Sequence, residues 1–179
     1  NAAYLDNYYE LVCGSFSRNF NNSLETGKKL FLNPNRIYKS YEDMIDQESK
    51  LDSSIRMDVV SIVTPNHVHF DPAFKALNKG FPVIIDKPMT YDSNEALKLV
   101  KVVNETGLPF AVTHTYTGYP MVKEAKQLIQ SGKIGKLRKV AVEYPQGWLT
   151  SNLESTKNKQ ASWRTDPKKS GIAGSMGDI

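Results

Sequence analysis

Asp86-Lys87-Pro88 follows directly on the apolar run Phe81–Ile85. A lysine placed there, between an acid and a rigid proline, can aim its ammonium at an alcohol or carbonyl oxygen. Its charge would stabilise an alkoxide developing on that oxygen, by about 3 kcal/mol in a water-poor pocket. The residues after the neighbouring apolar runs are polar as well: Ser17-Arg18, Thr64-Pro65-Asn66-His67 and His114-Thr115-Tyr116. Loops are polar anyway, so each set taken singly reads as surface. Their recurrence at one end of successive apolar runs, with lysine and histidine among them, points to a shared ligand site. Metal is not part of that expectation. His67 and His69 would face opposite ways on a helix and cannot share an ion. His114 is the one further histidine, which leaves too few for a zinc site.

The elements that must carry these residues are legible from period and punctuation. Residues 9–16 end an apolar run in glycine and read as a strand. Ser23 followed by Leu24–Leu32 reads as a helix stopped by Asn33-Pro34-Asn35, and Ser40 with Asp43 opens a second helix reaching about Lys50. Asp58–Thr64 is β-branched on both faces, as a strand inside a parallel sheet is. Asn66 is expected to cap a helix with Phe70, Ala73, Phe74 and Leu77 on one side, closed by Gly80. Phe81–Ile85 is the next buried strand. Asp92 with Glu95 then caps a helix striped by Ala96, Leu99, Val100 and Val103, which Gly107 ends, and Leu108–Thr113 is a further strand. Strands alternating with helices over short loops mean a doubly wound, Rossmann-like α/β sheet. Ligands of such sheets lie outside the carboxyl ends of the strands, where the polar sets above fall.

After Tyr116 the pattern changes. Tyr119–Ser131 reads as a helix, and Leu137–Tyr144 alternates polar and apolar like a strand with one buried face. The last stretch is polar and shows no period. We therefore divide the chain at about residue 117, into a partial dinucleotide-binding domain (1–117) and the incomplete opening of an α+β substrate domain (118–179).

Composition narrows the classes of function. The 179 residues are 40% hydrophobic and 23% charged with a net charge of +4, as in ordinary globular proteins. Lys157, Lys159, Arg164, Lys168 and Lys169 crowd together, but without the aromatic interleaving of a nucleic-acid surface. They read as a solvated loop, and neither nucleic acid nor membrane is an expected partner. No run of about 18 apolar residues is present to span a bilayer. One cysteine, Cys13, cannot form an internal disulfide, which suits a cytoplasmic protein.

The ordered set of motifs resembles the glucose-fructose oxidoreductase, inositol dehydrogenase and MocA family. Val60–Pro65 with His69 is similar to its strand ending in T-P-N-x-x-H, and Asp86-Lys87-Pro88 to its E-K-P turn. Gly132-Lys133-Ile134-Gly135 resembles the turn into the second domain, and Trp163-Arg164 with Gly171–Asp178 its W-R…G-G…G-D stretch. The resemblance implies hydride transfer between NAD or NADP and a secondary alcohol of a sugar or cyclitol, in a protein that forms homo-oligomers. It implies catalytic roles for Lys87, beside the nicotinamide and the substrate hydroxyl, and for Asp178, the acid of a D-x-x-x-H pair. Cofactor contacts are implied for Thr64, Pro65, Asn66, His69, Asp86, Lys87, His114 and Tyr116, and substrate contacts for Lys87, Trp163, Arg164 and Asp178. Ser17 and Arg18 match the loop that reads the adenosine ribose. An arginine there without an acid leans the choice towards NADP or dual use.

Two departures stand out. No G-x-G-x-x-G occurs in the sequence, and the histidine expected after Asp178 would fall past Ile179. The sheet is accordingly expected to lack its first strand, and the chain alone to be inactive. The competing expectation is a catalytically inactive, truncated relative that serves as a binding or assembly module.

Overall fold

Parallel pairing is the backbone of the computed structural model, which describes residue 5 and residues 7–145, 147, 150–156 and 158–170. β1 (Val60–Ile62), β2 (Val83–Asp86) and β3 (Phe110–Thr113) form a three-stranded sheet in the order β1-β2-β3. Val60 pairs with Val83 and Ile62 with Ile85, while Ile85 and Asp86 pair with Val112 and Thr113. Val83 and Ile85 lie on one face of β2 and are fully buried, while Ile84 on the other face is half-buried. This is the Rossmann-like parallel sheet expected from the alternating pattern.

The helices begin and end where local chemistry demands. α1 (Phe20–Lys29) is capped by Asn19 and α2 (Tyr41–Glu48) by Ser40, whose hydroxyl accepts from the Asp43 amide. α3 (Phe70–Asn78) joins β1 to β2 and α4 (Ser93–Thr106) joins β2 to β3. The Asp92 carboxylate accepts from the Glu95 amide at the start of α4, and Gly107, at φ +66°, ends it in a left-handed turn. Ala73, Ala76 and Leu77 of α3 meet Leu99 and Val102 of α4 in one core with Ile45 and Phe81. α5 (Pro120–Gln130) and the short helices α6 (Lys159–Arg164) and α7 (Pro167–Ser170) follow.

Several expectations need correction. Residues 9–16 make no strand; Gly14 alone bridges to Ile37, with amides and carbonyls exchanged at Gly14, Arg36 and Tyr38. Among the described residues no strand lies alongside that run, so its other backbone groups have no ladder to join. Leu137–Tyr144 is irregular for the same reason, and Val140 and Val142 are 66% and 80% exposed. α1 starts at Phe20, before Ser23, because Asn19 caps it earlier. Ser23 is instead buried, where its hydroxyl accepts from the Phe16 amide at 3.0 Å. Asn66 opens a 3₁₀ turn (Asn66–Val68) and makes no side-chain cap. In α4 it is Val102 that is buried, and Val100 is exposed.

The core also holds a charge. The buried Glu48 carboxylate accepts from Arg36 Nε at 3.0 Å and Nη2 at 2.6 Å, from Tyr38 Oη at 2.8 Å and from the Met57 amide at 2.9 Å. Burial works against the carboxylate, but these donors together outweigh it and hold the carboxyl below the usual glutamate range. Cys13 lies nearby, with Sγ 3.8 Å from Met57 Sδ; burial, aided by the Glu48 charge, pushes its thiol up to about 12. That thiol is inert at neutral pH.

Candidate active site

The polar residues at the carboxyl ends of β1 and β2 meet α6 across a cleft of about 240 Å³. Its lining is Val63, Thr64, Pro65, Asn66, Asp86, Lys87, Trp163 and Arg164. Each is placed by an identifiable local cause. β1 ends at Ile62, which puts Val63–Asn66 on the rim, with Val63 78% exposed. Thr64 turns its hydroxyl to the Val68 carbonyl at 3.4 Å, closing the loop on itself. Asp86 ends β2, and its Oδ1 accepts from both the Lys87 amide at 2.9 Å and the Thr113 hydroxyl at 2.8 Å. The carboxylate therefore ties the end of β2 to β3 and fixes the turn from which Lys87 departs; the Lys87–Pro88 peptide is cis.

The far wall comes from late in the chain. Arg164 stacks on Trp163 with its guanidinium 4.8 Å from the ring, a favourable cation–π pairing. α7 fastens this wall to the sheet: Asn66 Nδ2 donates to the Ser170 carbonyl at 3.4 Å, and Tyr91 Oη donates to the Pro167 carbonyl at 3.1 Å. Of the basic cluster around it, Lys169 pairs with Asp166 at 3.0 Å, while Arg164 turns to the cleft.

Thr64, Pro65, Asn66, Asp86, Lys87, Trp163 and Arg164 are thus gathered in one place. Other sequence candidates are not. Ser17 and Arg18 lie in the loop entering α1, where the Ser17 hydroxyl accepts from the Asn19 amide at 3.1 Å. His114 is exposed, and Tyr116 shares a 2.9 Å hydroxyl contact with Tyr144; neither lines the cleft. His69 is fully buried beneath it. Asp178 and Gly171–Asp178 lie outside the described residues. Val63 was missed because an apolar strand end gives no polar signal. The tie from Asn66 to Ser170 joins positions whose pairing no local pattern reveals.

Apolar Val63, Pro65 and the Trp163 ring stand beside hydrogen-bonding Thr64 and Asn66, with Lys87 and Arg164 supplying positive charge. That donor set fits a flat aromatic ring carrying an amide, next to a hydroxylated ligand. The volume falls below the roughly 300–1,000 Å³ of sites for drug-sized molecules. A cleft of this size admits a small ring and not a large ligand as a whole.

Comparison with known proteins bears on the same point. The model of the oxidoreductase family with an NAD-binding Rossmann fold, GFO/IDH/MocA, matches residues 6–114. The chain belongs to that family. A GFO/IDH/MocA C-terminal domain matches residues 122–179 of this family member. An inositol dehydrogenase homolog from Azotobacter vinelandii, solved with NAD+, superposes with a TM-score of 0.91 at 29% identity, covering 97% of this chain and 44% of that one. Levoglucosan dehydrogenase of Pseudarthrobacter phenanthrenivorans is 31% identical over 121 residues, 68% of this chain and 30% of its own length. The uncharacterized oxidoreductase YfiI of Bacillus subtilis is 29% identical over 171 residues, 96% of this chain and 43% of its length. The chain spans between 30% and 44% of the length of these relatives. Among the described residues no helix is long and apolar enough to cross a membrane.

Proposed function

We propose that this chain carries the nicotinamide side of an NAD(P) site and one wall of the substrate site of a dehydrogenase. Its substrate class is a secondary alcohol of a sugar or cyclitol, and its location the cytoplasm. The observation that carries the reading is the convergence of Thr64–Asn66, Lys87 and Trp163-Arg164 on one cleft at the carboxyl ends of parallel strands. Relatives named for inositol and levoglucosan support the substrate class. NAD(P) supplies the hydride acceptor when bound. Thr64 and Asn66 orient its carboxamide end, and Pro65 with Trp163 keeps water from the ring. Lys87 donates a hydrogen bond to the substrate oxygen and stabilises the negative charge it gains as its proton leaves and the carbon gives up hydride. Arg164 holds a second hydroxyl. Asp178 belongs to the base that takes the proton.

Cofactor affinity of the 179-residue polypeptide is the direct test of how complete the site is. No glycine-rich phosphate loop with its helix N-terminus occurs in the sequence. Calorimetry is expected to show NAD and NADP binding weaker than micromolar, which is about −8 kcal/mol. A tighter constant would show that the cleft alone holds the dinucleotide.

Arg18 tests the leaning towards NADP. It follows the 9–16 run with no acid beside it to repel a 2′-phosphate. In an active form of the protein, Arg18→Ala is expected to weaken NADP by about tenfold, or ~1.4 kcal/mol, and NAD hardly at all. Equal losses for both cofactors would place Arg18 elsewhere than at the 2′ position.

A second reading, a non-catalytic assembly module, draws on Met121, Val140 and Val142, which are 75%, 66% and 80% exposed. Where such residues adjoin in a contiguous patch they mark a contact site, and this reading assigns them to a homo-oligomer contact. Turnover of a sugar or cyclitol with NAD or NADP by this protein would exclude the module reading, and its absence across such substrates would favour it.

A further inference from the structure

The helices α6 and α7 are six and four residues long. Helices under about 12 residues are marginal in water, so contacts with the rest of the chain must keep both in place. Locally the two are tied into one unit. The Asn158 side chain accepts from the Ala161 amide at 3.1 Å at the start of α6. The Ala161 carbonyl accepts from the Thr165 amide at 3.0 Å and the Thr165 hydroxyl at 2.8 Å. The Asp166 carboxylate then accepts from the Lys168 amide at 3.0 Å and opens α7. Whatever holds α7 therefore also holds the Trp163–Arg164 pair of α6.

Among the described residues, hydrogen bonds from two other segments bracket α7. The carbonyl of its first residue, Pro167, accepts from Tyr91 Oη at 3.1 Å, and that of its last, Ser170, accepts from Asn66 Nδ2 at 3.4 Å. Asn66 belongs to the cleft, and Tyr91 does not line it. Tyr91 stands four residues after Lys87, between β2 and α4. Its backbone is built into the start of α4. The Tyr91 amide donates to Glu95 Oε2 at 3.2 Å, and the Glu95 amide donates to Asp92 Oδ1 at 2.9 Å. The hydroxyl of buried Thr90 donates to the Asp92 carbonyl at 2.8 Å. α4 itself is 14 residues long, with Leu99 and Val102 in the core. A phenol rooted there is a fixed post, and with two side-chain torsions it holds its hydroxyl at low entropic cost. We infer that Tyr91 is a positioning residue of the substrate wall: its hydroxyl fixes α7, and through α7 the Trp163–Arg164 pair, relative to Lys87. The consequence for the substrate rests on the dehydrogenase reading, in which Lys87 and Arg164 hold different hydroxyls of one ligand. A loosened wall moves Arg164 from the second hydroxyl without touching the reacting oxygen, so substrate binding suffers and the chemical step does not.

Trp163 reports on the wall directly. On a Trp148→Phe background it is the single tryptophan, and acrylamide quenching of its fluorescence reads its access to solvent. Tyr91→Phe removes the hydroxyl and keeps the ring, while Tyr91→4-aminophenylalanine restores an N–H donor at the same reach. Tyr91→Phe is expected to raise the quenching of Trp163 and to speed amide exchange at residues 161–165 by about fivefold, the loss of one hydrogen bond. Exchange along α4 should stay as in the parent. Tyr91→4-aminophenylalanine is expected to match the parent in both measurements. The inference is overturned if the two variants behave alike, if neither measurement moves, or if exchange rises equally along α4, since the ring would then merely support that helix. In an active form, Tyr91→Phe should raise the KM for its sugar or cyclitol by about fivefold and leave kcat and cofactor affinity within about twofold. A fall in kcat at unchanged KM would overturn the positioning role. Quenching and exchange are read on the chain without NAD(P), so failure of the latch and failure of the dehydrogenase reading are told apart.

Discussion

Lys87→Met in an active form of the protein is expected to lower kcat by about 10²-fold, or ~3 kcal/mol, with little change in cofactor affinity. Methionine keeps most of the side-chain volume and removes the charge. The split follows from the role proposed for the ammonium: it acts on an oxygen that gains negative charge as its proton is taken by the base, so its interaction strengthens in the transition state. The structure puts Lys87 on the cleft, on a turn fixed by Asp86, which is bound to the Lys87 amide and Thr113. Lys87→Arg is expected to restore activity only in part, because a planar fork cannot replace a compact donor at the same oxygen. Steady-state kinetics with saturating cofactor reads both variants. A Lys87→Met protein within about twofold of the parent kcat would make Lys87 a rim residue and move the catalytic centre elsewhere.

Glu48→Ala is expected to destabilise the fold by about 3–5 kcal/mol, because it strands Arg36 beside the core and leaves Tyr38 and the Met57 amide without their acceptor. Against a typical stability of 5–15 kcal/mol that is enough to unfold a marginal chain. Glu48→Gln keeps an oxygen for part of the network and should cost less. The same group sets an acid limit. Its native carboxyl titrates below the unfolded value of about 4.3, so its contribution is present above that pH and is lost as the pH falls through the native value. Urea unfolding followed by circular dichroism at neutral pH and at about pH 3.5 checks both statements. A loss under about 1 kcal/mol for Glu48→Ala would mean that the ion pair merely replaces solvent contacts.

Much of the sheet was legible in the residues themselves. Caps and stops act within three or four residues, so Ser40, Asp92 and Gly107 mark helix ends whatever packs above them. Apolar, β-branched runs mark strands whose carboxyl ends fall along one edge, which is why Thr64–Asn66 and Asp86-Lys87 stand out. The same local reasoning erred at residues 9–16 and 137–144. A strand is a pairing, and a pattern reports only one member of it. The sequence could likewise nominate Trp163-Arg164 and His69 as members of a motif without saying what they touch.

Tertiary structure decided the rest. It tied α7, and with it the neighbouring α6, to the segments after β1 and β2 through Asn66–Ser170 and Tyr91–Pro167, contacts spanning 104 and 76 positions. It buried Glu48 and gave its charge partners, and it placed His69 between two carbonyls beneath the cleft it had been expected to line. Each outcome depends on groups brought together only by packing, where a lost water contact must be replaced by a partner from elsewhere in the chain. Residue types and spacing determined the family pattern and nominated the candidate residues. The assembled fold determined which of those residues line the cleft and which lie away from it.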